Sequence, residues 1–209
     1  MTERNDEVRT EYYVVRTCAA DCRLNLGNTE RVAQKLVQML ESWREELDAH
    51  FEAQLGKRPL LAHHRLRVAV AGCPNACSEP QICDFGLIGA AIVGSGAGEC
   101  TRCNRCAMVC REEAICVGED GVEIDPARCV RCGTCAAVCP AEAMAIQDRG
   151  YKVILGGKLG RHPRLATTWI PFCSEEEAYQ AFEDAIAFWM AHRQNGERLG
   201  SIIEREGMP

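Results

Sequence analysis

The stretch CTRCNRCAMVC sets Cys100, Cys103, Cys106 and Cys110 at the spacing C-x2-C-x2-C-x3-C. CVRCGTCAAVCP repeats that spacing with Cys129, Cys132, Cys135 and Cys139, closed by Pro140. Thiolates are soft ligands that suit zinc, copper(I) or iron–sulfur clusters. A zinc ribbon needs only two C-x2-C pairs, so two complete runs of four favour iron–sulfur over a pair of zinc sites. Four further cysteines form two C-x3-C pairs, Cys18 with Cys22 and Cys73 with Cys77. Each pair stands where a predicted strand ends, and together they can give four thiolates to a third centre, iron–sulfur or zinc. Cys83, Cys116 and Cys173 are most simply buried thiols. The total of fifteen is odd, and the opening MTERNDEVRT lacks the apolar core of a signal peptide. Metal binding in a reducing, cytoplasmic setting is therefore expected rather than a disulfide framework.

These thiols need elements to position them. EYYVVR (11–16) reads as a strand ending at Cys18. Val32, Leu36, Met39, Leu40, Trp43 and Leu47 recur at helical spacing, Asn28 or Thr29 can cap the start, and Gly56 stands just past the end, which predicts one helix. LRVAVAG (66–72) is a buried strand that delivers Cys73 to a loop, DFGLIGAAIVGSG (84–96) is a second, and YKVILGG (151–157) a third. Ser174 and Glu177 form a capping box for a helix with Ala178, Phe182, Ala185, Ile186 and Trp189 on its apolar face. A short helix is expected around 198–206. Trp43, Trp189, Met39 and Phe182 read as core. The fold class expected is α+β, a mixed sheet with flanking helices. The cysteine-dense residues 99–147 are inserted in it, leaving a discontinuous domain of 1–98 and 148–209. With 47% hydrophobic and 26% charged residues and a net charge of -6, the chain can bury one core plus a small appended domain. That balance points away from nucleic acid, and no apolar run reaches membrane-spanning length.

The doubled run resembles the bacterial two-cluster ferredoxin, in which three closely spaced thiolates hold one cluster and the fourth reaches across to its twin. The resemblance implies one 4Fe–4S cluster on Cys100, Cys103, Cys106 and Cys139, and a second on Cys129, Cys132, Cys135 and Cys110. Arg111 stands where that family has a proline after the first run. The outer pairs are similar to those of the siroheme-dependent sulfite and nitrite reductases. GCPNACSEPQICDFGLIG carries that family's G-C-P-N-x-C leading into D-x-G-[LF]-x-G. GYKVILGGKLGRHPRLA (150–166) and RQNGERLGSIIEREG (193–207) resemble segments of small reductases that carry an inserted ferredoxin domain. In that family a C-x5-C pair and a later C-x3-C pair hold a 4Fe–4S cluster, and the last cysteine also ligates the siroheme iron. The likeness, over residues 14–207, implies a cluster on Cys18, Cys22, Cys73 and Cys77, with Cys77 bridging to siroheme. The upstream pair here is two residues shorter than the family's. Family members also carry a ferredoxin-like half-domain ahead of it, where this chain has about fifteen residues. A partner subunit, or a second copy in a homo-oligomer, is expected to complete the pocket.

Siroheme is rich in carboxylates and sulfite or nitrite is an anion, so such a site needs a cationic lining. Residues 149–174 contain no Asp or Glu, yet carry Arg149, Lys152, Lys158, Arg161, His162 and Arg164. Lys158, Arg161 and Arg164 in GGKLGRHPR are expected to face the anion or the siroheme, with Arg16 as a further contact. His63 and His64, in a second basic stretch, are expected at the surface. The leading expectation is a redox enzyme, or its catalytic-type subunit. A donor protein would supply electrons through the two ferredoxin clusters to the third cluster and, through Cys77, to siroheme. The alternative is a non-catalytic electron-transfer subunit that carries 4Fe–4S clusters without siroheme. A third reading is a protein that binds or senses a tetrapyrrole.

Overall fold

The computed structural model describes residues 7–209. Residues 1–6, on which most of the signal-peptide reading rests, lie outside the described residues. The chain builds a six-stranded mixed sheet in the order β1 (Glu7–Arg9), β2 (Tyr13–Thr17), β3 (Leu66–Ala71), β4 (Phe85–Ser95), β7 (Met144–Leu155) and β8 (Thr167–Cys173). β2, β3 and β4 run parallel, and the other neighbours pair antiparallel. A second sheet pairs β5 (Ile115–Gly118) with β6 (Gly121–Ile124). Among the described residues no helix is long and apolar enough to cross a membrane.

One face of the main sheet carries the core. Tyr13, Val15, Val68, Val70, Phe85, Leu87, Tyr151, Val153 and Leu155 share a single buried cluster. Against it pack α1 (Thr29–Ser42), α2 (Arg44–Leu55), α5 (Glu175–His192) and α6 (Leu199–Glu206). Asn28 caps α1 by accepting from the Arg31 amide, and Ser174 with Glu177 forms the expected capping box on α5. Met39, Phe182 and Trp189 are buried in this core and Trp43 packs against it.

Four local expectations need correction. The single helix ending at Gly56 is two, broken at Trp43 (φ -94°, ψ 16°). There the Ser42 hydroxyl donates back to the Met39 carbonyl at 2.7 Å, a bond that bends helices. β8 has no counterpart among the expected strands. Pro171 interrupts its pattern, and it is tolerated because β8 is the sheet's edge. His64 is buried rather than superficial. Its Nδ1 accepts from the Leu61 amide, and its carbonyl accepts from the buried Arg193, which lies over the rings of Phe51 and Trp189. Cys116 is exposed, because β5 belongs to a two-stranded sheet with alternate residues in solvent.

The opposite face of the main sheet is the one that matters for chemistry. Cross-strand partners project to the same side. Arg16, Ala69, Gly86, Ile154 and Thr168 therefore form one row across it, and Ala71, Ile88 and Lys152 the next. Residues 72–84, which connect the parallel strands β3 and β4, cross this face. Ala76 packs there with Ala71, Ile88 and Ile154, and the Ser78 hydroxyl donates to the Val70 carbonyl.

Candidate metal centres

Parallel strands bring their C-terminal ends to one edge, where α/β sheets commonly place ligands. Thr17 pairs with Val70 at the ends of β2 and β3, so the loops that follow leave the sheet side by side. One carries Cys18 and Cys22, the other Cys73 and Cys77. Burial pushes the Cys73 thiol up, the Asn75 amide opposes this, and the nearby sulfurs of Cys22, Cys18 and Cys77 add to the rise. Four thiols thus share one neighbourhood whose mutual repulsion a bound cationic cluster would relieve. Cys18 is buried, Cys22 and Cys73 are half-buried, and Cys77 is exposed.

The shortened C-x3-C loop is held by Asn25. Its Nδ2 donates to the carbonyls of Ala19 and Ala20, and its Oδ1 lies 3.5 Å from the Cys18 Sγ. The Gly72 amide donates to that same sulfur at 3.2 Å. Amide donors of this kind stabilise a thiolate and tune a cluster. Gly72 can sit this close only because it lacks a Cβ, which would fall 2.0 Å from Asn25 Oδ1. Gly72→Ala should therefore displace Asn25 and, if these four thiols hold a cluster, lower the iron bound by the protein without touching any held by residues 99–147. Metal analysis of the anaerobically purified variant checks this. Full retention of iron would sink it.

The inserted segment shows its internal repeat in the backbone. Arg102, Asn104 and Glu113 have positive φ, and so do their counterparts 29 positions on, Arg131, Gly133 and Glu142. Left-handed residues between the cysteines turn successive amides toward the sulfurs. Among these, the Arg105 amide pulls the Cys103 thiol down. Helices α3 (Arg105–Val109) and α4 (Thr134–Ala137) pack together, and buried Cys106, Cys135 and Met144 form a small core. Cys100, Cys103, Cys106 and, from the other half, Cys139 line one small recess, walled by Val117, Val122 and Met144. Cys129, Cys132, Cys135 and Cys110 line a second, larger cleft. Burial pushes Cys135 up to about 11, and the sulfurs of Cys132 and Cys129 add to it. Among the described residues no three His, Cys, Asp or Glu side chains converge tightly enough for a single metal ion.

The larger cleft is also lined by Cys73, Pro74 and Asn75. The second cysteine run therefore opens directly onto the loop that carries the third thiol set, a juxtaposition that sequence spacing does not reveal.

The basic residues divide. Lys158 is buried, its Nζ donating to Ser201 Oγ at 2.8 Å and Glu204 Oε2 at 2.9 Å. Arg164 donates to the Gly156 carbonyl and Thr167 Oγ1 and lies 3.8 Å from Glu204. Their backbones bridge each other, closing a hairpin whose tip exposes Arg161. Arg16 pairs with Glu7 and, across to the 72–84 loop, with Glu79. Arg67 and Lys152, which the sequence does not mark as anion contacts, lie half-buried on the same sheet face as Arg16. Burial, then Arg198, pushes the Arg67 guanidinium down, while Asp84 opposes this.

Residues 18–209 match the family model described as the nitrite and sulphite reductase 4Fe-4S domain. The chain is similar to the coenzyme F420-dependent sulfite reductase of Methanocaldococcus jannaschii, 37% identical over 164 residues covering 78% of this chain and 26% of that protein. It is also similar to one subunit of the anaerobic sulfite reductase of Salmonella typhimurium, 29% identical over 152 residues covering 69% of this chain and 45% of that one. The chain thus spans less than half the length of these relatives. Among solved structures it resembles dissimilatory sulfite reductase I (TM-score 0.62, 21% identity, 92% of this chain and 50% of that one). It also resembles the Mycobacterium tuberculosis NirA protein (TM-score 0.52, 21% identity, 91% and 25%). At these identities the two structures speak to the fold, an α+β mixed sheet with flanking helices.

Proposed function

Because the chain belongs to the nitrite and sulphite reductase 4Fe-4S domain family, we propose that it is the cluster-carrying, siroheme-binding part of a sulfite or nitrite reductase that works with a partner subunit. The observation that carries this reading is that the loops bearing Cys18, Cys22, Cys73 and Cys77 leave the paired ends of β2 and β3 side by side, with Cys77 exposed. Those four thiols would hold one 4Fe–4S cluster, with Cys77 as the bridge to siroheme. Cys100, Cys103, Cys106 and Cys139 would hold a second, and Cys129, Cys132, Cys135 and Cys110 a third, in a ferredoxin-like insert. When bound, the clusters supply one-electron carriage and siroheme supplies an iron at which an oxyanion is reduced.

The chain's own residues orient and neutralise. Arg67 and Lys152, with Arg16 beside them between Glu7 and Glu79, give this sheet face a cationic field suited to carboxylates and to a small anion, and exposed Arg161 extends it. Lys158 and Arg164 give the hairpin its shape while Glu204 holds them, and they join the anion contacts when that carboxylate releases them. Both relatives are sulfite reductases by name, which favours sulfite as substrate. The Salmonella relative is a single subunit of its enzyme, which favours a multi-subunit assembly.

Anaerobic purification from a host that makes siroheme, followed by a visible spectrum and acid–acetone extraction, tests this. We expect extractable siroheme together with iron and sulfide for three clusters. Iron without siroheme would sink the reading and leave the alternative, an electron-transfer subunit. That alternative is favoured by the engagement of Lys158 and Arg164 with Glu204.

A further inference from the structure

The two cysteine runs place an arginine at the same point, Arg102 between Cys100 and Cys103 and Arg131 between Cys129 and Cys132. Both have left-handed backbones, with φ 56° and 60°. Their side chains do different things. Arg102 donates inward to the Glu119 carbonyl, in the turn between β5 and β6. Arg131 reaches out of the insert. Its carbonyl accepts from the Ala91 amide of β4 at 2.8 Å, its guanidinium donates to the Pro171 carbonyl of β8 at 2.9 Å, and it lies 5.4 Å over the Phe172 ring. Because β7 runs between β4 and β8, one residue grips the main sheet across three strands. Gly133, two residues on, has room for little else beside Ala91, Ile146 and Leu26. The cysteines flanking Arg131 line the cleft that Cys73 shares.

We infer that Arg131 is a positioning residue: it clamps the insert to the main sheet and fixes the second cysteine run against the Cys73 loop. This rests on the proposed cluster reading only for its consequence, a fixed separation between the centre on Cys129, Cys132, Cys135 and Cys110 and the one on Cys18, Cys22, Cys73 and Cys77. A backbone bond, a charge-assisted bond to a carbonyl and a ring contact converge on this single side of the insert. The internal counterpart Arg102 shows that the ferredoxin-like repeat does not by itself require such a reach.

The test uses the full-length, anaerobically purified, cluster-loaded protein with Arg131→Ala, Phe172→Ala and, as control, Arg102→Ala. Hydrogen exchange of the Ala91 amide reads docking. Electron paramagnetic resonance of the reduced protein reads magnetic interaction between the two centres. Arg131→Ala should speed Ala91 exchange and replace the interaction-split spectrum with the sum of isolated signals, at unchanged iron content. Phe172→Ala, which attacks the same contact from the sheet side, should do both to a lesser degree. The double variant should show less than the sum of the two, as residues in direct contact do. Arg102→Ala should leave both readings at wild-type values. Unchanged Ala91 exchange in Arg131→Ala and Phe172→Ala, or an equal response to Arg102→Ala, overturns the inference. A wild type without magnetic interaction, whose Ala91 exchange still responds to Arg131→Ala, overturns the cluster assignment and leaves the clamp standing.

Discussion

Cys77→Ser is expected to abolish siroheme-linked redox activity while leaving the iron of residues 99–147 in place. Cys77 sits between two fixed neighbours. Ala76 is buried with φ 52°, and the hydroxyl of fully buried Ser78 holds the Val70 carbonyl. The loop therefore has little freedom to bring another donor to that point, and a serine oxygen is a harder, poorer ligand for iron than a thiolate. Outer-shell partners of metal ligands already cost roughly 10–100-fold when removed, so loss of the ligand proposed to bridge should exceed that range. The matching control is Cys83→Ser. Cys83 is buried apart from the four-thiol set, its thiol donating to the Glu79 carbonyl at 3.5 Å. Viologen-linked sulfite or nitrite reduction, measured beside the spectrum of the extracted haem, separates the outcomes. A Cys77→Ser protein that keeps cluster–haem coupling would show that the bridging role belongs to another residue.

The contrast between these two cysteines shows where sequence stops being legible. Ligand spacing is local chemistry, so the doubled four-cysteine runs and the two C-x3-C pairs are readable from the sequence. Caps are local too, which is why Asn28, Ser174 and Glu177 can be identified from a few residues. Partner choice over long separations is not local. Lys158 and Arg164 lie in a run without acids, yet their carboxylate comes from Glu204 at the far end of the chain. Reading that run by its composition gives an anion site, and reading it in space gives a hairpin closed over α6. Arg67 and Lys152 show the same limit. Arg67 is the one charged residue of β3, Lys152 shares β7 with Asp148 and Arg149, and only the cross-strand rows place both with Arg16 on one face. β8 is hidden because Pro171 interrupts its pattern, which only an edge position tolerates. The third thiol set's proximity to the second cysteine run has no sequence signal at all, since it depends on how the insert docks.

Asp84→Ala is expected to be the most destabilising single change outside the cysteines. Asp84 is 1% exposed and its carboxylate accepts from the Arg67 amide, the Leu199 amide and Arg198 Nε, the last at 2.8 and 3.0 Å to its two oxygens. It thus joins the start of β3, the start of β4 and the start of α6 at one point. Removing one partner of a buried pair costs about 3–5 kcal/mol, because Arg198 would be left charged and poorly solvated. For a chain of this size that corresponds to a fall in melting temperature of roughly 6–20 °C. Asp84→Asn should lie between wild type and Asp84→Ala, keeping the shape but turning one acceptor into a donor aimed at donors. The consequence reaches the basic hairpin, because α6 carries Ser201 and Glu204, which hold Lys158. Glu204→Gln is the discriminating comparison. Its side chain is 51% exposed, although Lys158 beside it is only 10% exposed, and a glutamine keeps an acceptor for the Lys158 Nζ, so the change should cost less than Asp84→Ala. If both Asp84→Ala and Glu204→Gln make the 156–166 segment sensitive to protease, but only Asp84→Ala lowers the melting temperature, then Asp84 anchors the helix and Glu204 only occupies the cations. Equal melting temperatures for Asp84→Ala and wild type would refute the anchoring role. If Glu204 only occupies them, Glu204→Gln should leave the fold intact while freeing Lys158 and Arg164 for an added oxyanion, a gain in sulfite affinity that isothermal titration can measure.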